Sequence, residues 1–224
     1  MYSTLKYLLF DIDNTLYSSR WGLEDNVRCR MKQFTAAYLG ISPEEAWLQR
    51  MERVKDYGTN LEWLMAEKGF TSAEDYFAAV HPPDEADSLP PDPLLRDFLA
   101  GLPVPKAILT NSPAEHARLI LDRLGITHLF THVFDVRQCN FRGKPRPEVF
   151  NHALKVLGVS AAEVLFIDDS PYYVEGFIAL GGRGLLFDEN DVHSDSGLPR
   201  IRELKELAAL LQGAAENCSF EKFP

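Results

Sequence analysis

The chain has few cysteines, no excess of positive charge and no long hydrophobic run. Its three cysteines, Cys29, Cys139 and Cys218, are far apart and outside any C-x-x-C pattern, which argues against a disulfide framework and for a reducing compartment. Lysine and arginine number 23 against 33 aspartates and glutamates, a net charge of -10. There is therefore no general basic field to release counterions from nucleic acid. An anionic small molecule remains compatible, because a bound metal or one buried lysine reverses the potential locally. No stretch approaches the ~18 apolar residues of a membrane span, and the chain runs from Met1 into an apolar segment without a basic leader or cleavage site. The expectation is a cytoplasmic protein, monomer or homodimer, that engages neither nucleic acid nor membrane.

The 46% hydrophobic and 25% charged content is an ordinary globular balance, with room for one substantial core. Short apolar runs at 6–10, 107–109, 164–167 and 184–187, with a weaker one at 133–136, suit central strands of a parallel sheet covered by helices on both faces. The first three end in Asp11-Ile12-Asp13, Thr110-Asn111 and Asp168-Asp169-Ser170. Ligands of open α/β sheets bind beyond the carboxyl ends of the strands, so these clusters should share one crevice. Ser112-Pro113-Ala114-Glu115 reads as a helix start with Ser112 as N-cap, and Pro147 opens another helix that Gly158 stops.

Thr110 to Lys144 and Lys144 to Asp168 are each near one βα unit in length, but the interval from Asp13 to Thr110 is far longer. Leu23, Val27, Met31, Phe34 and Tyr38 fall at helical spacing inside it. Ser42-Pro43-Glu44-Glu45 restarts a helix that Trp47, Met51 and Val54 continue, and 61–70 and 71–80 supply two more. The expected architecture is a Rossmann-like α/β core, residues 1–15 and 82–224, with a helical cap inserted at 16–81. The proline-rich segment 82–93 reads as the return linker, 198–211 as an edge helix, and the residues after 211 as frayed.

Asp11 and Asp13 end one strand and Asp168 and Asp169 another. Carboxylates that close repel one another unless a cation lies between them, and hard oxygen donors suit Mg²⁺ best. Thr110 adds a hydroxyl, and the prolines of Arg142-Gly143-Lys144-Pro145-Arg146-Pro147 stiffen the backbone that carries the Lys144 ammonium. Metal, hydroxyl and fixed cation are the parts that neutralise a phosphoryl group in transfer. His81, His116, His152 and His193 have no clustered partners in sequence and read as surface or cap residues.

The strings Asp11-Ile12-Asp13-Asn14-Thr15-Leu16, Thr110-Asn111, Lys144-Pro145 and Asp168-Asp169, in that order, resemble the four motifs of the haloacid dehalogenase-like hydrolases. The resemblance implies that Asp11 is a nucleophile forming an aspartyl-phosphate and that Asp13 is the acid and base. It implies too that Thr110 and Lys144 hold the phosphoryl oxygens, and that Mg²⁺ is bound by Asp11, the Asp13 carbonyl and Asp169, with Asp168 acting through water. Asp13 separates such a phosphatase from the family's dehalogenases, which lack an aspartate there. Asn111, Tyr17, Trp21 and Tyr57 are the candidate substrate contacts. Asp11 to Tyr17, with Tyr57-Gly58-Thr59, resembles the pyrimidine 5′-nucleotidase branch. The expected function is Mg²⁺-dependent hydrolysis of a small phosphorylated metabolite, with a nucleoside monophosphate as one candidate. A phosphomutase and a non-catalytic phosphate-binding module are the alternatives.

Overall fold

The structure is a computed structural model that describes residues 4–53 and 56–216, with side chains to residue 211. Val54 and Cys218 lie outside the described residues, as does the end of the chain beyond 216. Six parallel strands, β1 (Tyr7–Phe10), β2 (Lys106–Leu109), β3 (His132–Phe134), β4 (Val164–Asp168), β5 (Arg183–Phe187) and β6 (Arg200–Ile201), form one sheet in the order β3-β2-β1-β4-β5-β6. Strand order reverses around β1, the place where open α/β sheets form their ligand crevice.

The strands are apolar on both sides because both faces are covered. Leu8, Phe10, Ile108, Leu165 and Ile167 point into one hydrophobic layer, and Leu9, Ala107, Leu109, Val164 and Phe166 into the other, as the two-residue period of a strand requires. Helices α5 (Pro93–Gly101), α6 (Ala114–Leu124) and α9 (Glu206–Glu216) cover the first face. Helices α7 (Pro147–Leu157) and α8 (Pro171–Ala179) cover the second, where Phe150, Phe166 and Phe177 pack ring against ring at centroid distances of 5.1–5.5 Å.

Four helices, α1 (Leu23–Leu39), α2 (Pro43–Arg53), α3 (Asn60–Lys68) and α4 (Ala73–Val80), stand between β1 and α5. Leu61, Trp63, Leu64, Phe70, Tyr76, Phe77 and Val80 build a separate cluster there, joined by Val136 and Phe141 from the other side of the cavity. The turn before α3 is pressed onto the loop that carries Lys144. A Cβ on Gly58 would sit 2.5 Å from the Gly143 carbonyl oxygen, the Thr59 hydroxyl donates to the Phe141 carbonyl at 2.9 Å, and Arg146 pairs with Glu62 at 2.7 Å. A bulkier residue than glycine at 58 cannot keep that approach.

Two readings of the sequence, the Ser112 cap and the edge helix, need correction. Helix α6 begins at Ala114 with Pro113 at the cap position. Ser112 instead turns its hydroxyl to Asp13 at 3.2 Å, and Asp135 takes the Ala114 N–H at 3.0 Å. The return segment 82–93 leads directly into α5, whose N-terminus is capped by the Asp92 side chain on the Leu95 N–H at 2.9 Å. The edge helix over 198–211 is instead the short strand β6 followed by α9, which continues to Glu216. Among the described residues no helix is long and apolar enough to cross a membrane.

Candidate active site

Register brings the acidic groups together. Phe10 pairs with Ile167, and the Asp11 N–H donates to the Ile167 carbonyl at 2.9 Å, so Asp11 and Asp168 leave adjacent strands at the same level. The buried Lys144 ammonium lies between them, 2.6 Å from Asp11 Oδ1 and 2.6 Å from Asp168 Oδ2. Asn111 fixes that lysine through its backbone: Oδ1 accepts the Lys144 N–H at 2.7 Å, and Nδ2 donates to its carbonyl at 3.4 Å. The Tyr173 and Phe166 rings flank the ammonium at 5.1 and 5.4 Å. Asp169 completes the floor, with one carboxylate oxygen from each of Asp11, Asp168 and Asp169 within 4.8 Å of the others.

One ammonium does not neutralise three carboxylates. Burial raises the Asp11 carboxyl, Lys144 opposes it, and Asp168 and Asp13 raise it further, leaving it at about 8. Asp169 is pushed up to about 9 by burial and by the charges of Asp168 and Asp11. Burial pulls the Lys144 ammonium down, but Asp11 and Asp168 outweigh it and hold the group above the ordinary lysine range. An all-oxygen donor set with surplus negative charge fits a hard divalent cation.

Asp13 belongs to a different environment. Its Oδ1 accepts from the Tyr17 hydroxyl at 2.5 Å and faces His116 Nε2 at 2.8 Å, while Oδ2 accepts from Ser112. The other His116 nitrogen, Nδ1, lies 2.6 Å from Glu85 Oε1. Glu85 also meets His81 at 3.3 Å and Arg30 at 3.0 Å. An imidazole with a carboxylate at each nitrogen donates from both, so His116 is an imidazolium. Burial lowers its pKa, but the Asp13 charge and the two hydrogen bonds raise it to about 10. Burial likewise raises Asp13, yet the His116 charge and the His116 and Tyr17 hydrogen bonds hold it below the usual carboxylate range.

A cavity of about 490 Å³ opens above this floor. Asp11, Asp13, Thr110, Asn111, Ser112, Lys144 and Asp169 line it together with residues of α1, α2 and α4, among them Arg28, Trp47, Arg50, Tyr76 and Phe77. Thr110 is buried, and its hydroxyl accepts the Ser112 N–H at 3.0 Å. The other candidate substrate contacts point elsewhere. Tyr17 is bound to Asp13 and packed in the core, Trp21 packs against the same core, and Tyr57 turns its hydroxyl to Glu67 at 3.2 Å. These three residues are absent from the cavity lining.

His116 and Glu85 were not legible as functional residues, and reading His116 as a surface or cap residue was wrong: it is fully buried. The usable signal was its position. His116, Ala117, Ile120, Leu121 and Leu124 form the buried face of α6, and a charged group on such a face requires a partner. His81 is half-buried, with its ring tilted against that of His116 at a centroid distance of 4.7 Å.

Comparison with known proteins agrees with this geometry. The chain is 29% identical to "Phosphate metabolism protein 8" of Saccharomyces cerevisiae over 195 residues, which cover 79% of the chain and 59% of the yeast protein. It is 30% identical to the "Glyceraldehyde 3-phosphate phosphatase" of Methanopyrus kandleri over 181 residues, 74% of the chain and 76% of that protein. Its fold matches the crystal structure of an HAD phosphatase from Thermococcus onnurineus with a TM-score of 0.64 at 22% identity, covering 93% of this chain and 99% of that one. Proteins named as haloacid dehalogenases are similar too. The family model for haloacid dehalogenase-like hydrolases matches residues 5–181, and the chain belongs to that family.

Proposed function

We propose that the protein is a Mg²⁺-dependent phosphomonoester hydrolase acting on a small phosphorylated metabolite through a phosphoryl group carried on Asp11. The observation that carries this reading is Asp13, two residues from Asp11 and held at the cavity by Tyr17, His116 and Ser112. Displacement of a halide needs no proton donor; displacement of an alkoxide does.

In this reading Lys144 occupies Asp11 Oδ1 and leaves Oδ2 to attack phosphorus. As the bond from phosphorus to the ester oxygen breaks, that oxygen takes a proton that the His116 imidazolium passes through the Asp13 carboxylate along the hydrogen bond from Nε2. A water molecule then attacks the phosphoryl group on Asp11, gives one proton through Asp13 back to the neutral His116, and frees phosphate and the Asp11 carboxylate. Thr110, Asn111 and Lys144 orient the phosphoryl oxygens or the loop that meets them. Mg²⁺ would be held by Asp11, Asp168 and Asp169, where it supplies charge neutralisation between the nucleophile and an anionic substrate. The helices between β1 and α5 act as a cap that supplies the substrate's other contacts.

Phosphate release from an aryl phosphate tests the reading, followed by a panel of phosphorylated metabolites that includes nucleoside monophosphates because Trp47, Tyr76 and Phe77 line the cavity. The expected result is release that stops in excess chelator and returns with Mg²⁺. Absence of release from every ester with Mg²⁺ present, or full activity in chelator, contradicts it.

A further inference from the structure

Arg50 differs from every other arginine near the cavity. It projects from α2, is only 8% exposed, and lines the same cavity as the carboxylate floor. Its Nη1 is buried without a hydrogen-bond partner, and its Nη2 meets only the Tyr57 carbonyl at 3.5 Å. Among the described residues no carboxylate lies within ion-pair distance of it. Arg28 pairs with Glu24 at 3.0 Å, Arg30 with Glu85 at 3.0 Å, and Arg53 with Glu67 at 3.1 Å. Glu62, the carboxylate whose field reaches Arg50, is already bound to Arg146 and to the Gly58 N–H.

A buried guanidinium left unpaired is costly, and it is more conspicuous in a chain with a net charge of -10. Carboxylates are abundant here, yet none has been placed against this group. Tyr173, whose ring lies beside the Lys144 ammonium, is also within the field of Arg50. Val27, Met31, Leu61 and Phe77 line the same cavity, and a volume of about 490 Å³ suits a small molecule.

We infer that Arg50 receives a second anionic group of the substrate, which makes the substrate a phosphomonoester bearing a carboxylate or a second phosphate at its far end. The inference rests on the phosphatase reading for what occupies the floor. Planar guanidinium donors suit either oxyanion, and a charge-assisted contact in a water-poor wall gives selectivity over a neutral hydroxyl.

The test is calorimetric binding with Mg²⁺ present, using Asp11→Asn protein so that ligands survive. The probes are glycerol 3-phosphate, 3-phosphoglycerate, 1,3-propanediol bisphosphate and uridine 5′-monophosphate. At least one of the two doubly anionic probes should bind about ten-fold or more tighter than glycerol 3-phosphate, and the stronger one identifies the far-end group. Adding Arg50→Gln should erase that preference. Adding Arg50→Lys should reduce it several-fold, and this variant serves if the glutamine variant does not fold. Equal affinities, a preference that survives both substitutions, or an Arg50-dependent preference for the uridine nucleotide overturns the inference. Wild-type turnover of an aryl phosphate is measured alongside. Turnover without the binding preference rejects the Arg50 inference alone, whereas the preference without turnover of any ester rejects the phosphatase reading alone.

Discussion

Two buried ionic clusters meet at the end of β1, and their titratable groups are displaced in opposite directions. On the floor, Asp11 is raised to about 8 and Asp169 to about 9. On the side of the α5 and α6 layer, Asp13 falls below its ordinary range and Glu85 drops to about 2, because the hydrogen bonds and charges of His116 and His81 outweigh burial. Both clusters are shielded from water, so burial alone does not separate them. The difference is supply of positive charge: the chain furnishes His116 and Arg30 to one cluster, with burial holding the His81 imidazole below its ordinary value, and a single ammonium to the other. In the proposed reading the acid-base group is complete in the polypeptide, whereas the floor is completed by a cation.

The most severe way to break the comparison is on the floor. Asp11→Asn removes the carboxylate proposed to attack phosphorus, and phosphate release should fall by roughly 10⁴-fold or more while the circular dichroism spectrum is unchanged. A residual rate near wild type removes Asp11 from the nucleophile role. On the other side, His116→Asn should lower kcat by about 10²-fold with a smaller change in KM. Without the imidazolium the Asp13 pKa rises, so the acid limb of the pH–rate profile should move to higher pH. A merely structural histidine would leave that limb in place.

A milder substitution sharpens the comparison through stability. The Glu85 carboxyl is lower in the folded chain than its ordinary 4.5, so it contributes stability above that pH and loses it as pH falls through about 2. Glu85→Gln should therefore cost on the order of 2 kcal/mol at neutral pH. Denaturant unfolding should show the gap to wild type closing as pH drops below about 4. A gap independent of pH would mean that the carboxylate charge is not what stabilises this cluster.

Much of the floor was legible because each of its residues directly follows an apolar run or a proline-stiffened loop, and parallel register converts those run ends into neighbours. Asp11 and Asp168 needed only the pairing of β1 with β4. The other cluster depends on contacts that no local pattern encodes: His116 lies 103 residues from Asp13 and 31 from Glu85. Glu85 sits in the proline-rich segment read as a plain linker, which hid its role. Arg50 was hidden for a related reason. It follows Ala46 by four positions on the buried side of α2, and its isolation becomes visible only once the neighbouring carboxylates are seen bound to other groups. Trp21 and Tyr57 stand outside the cavity lining, as aromatic side chains near a site fill cores as readily as they bind ligands.

The proposal that the floor takes up a divalent cation is tested most directly by titrating the protein with Mg²⁺ at pH 7 in two buffers of different ionisation enthalpy. Carboxyls held at about 8 and about 9 are largely protonated at that pH, so the ion must displace protons to bind. The expected result is saturable binding with proton release, lost in Asp169→Asn. Absence of binding, or binding that releases no proton and persists in Asp169→Asn, would contradict the account.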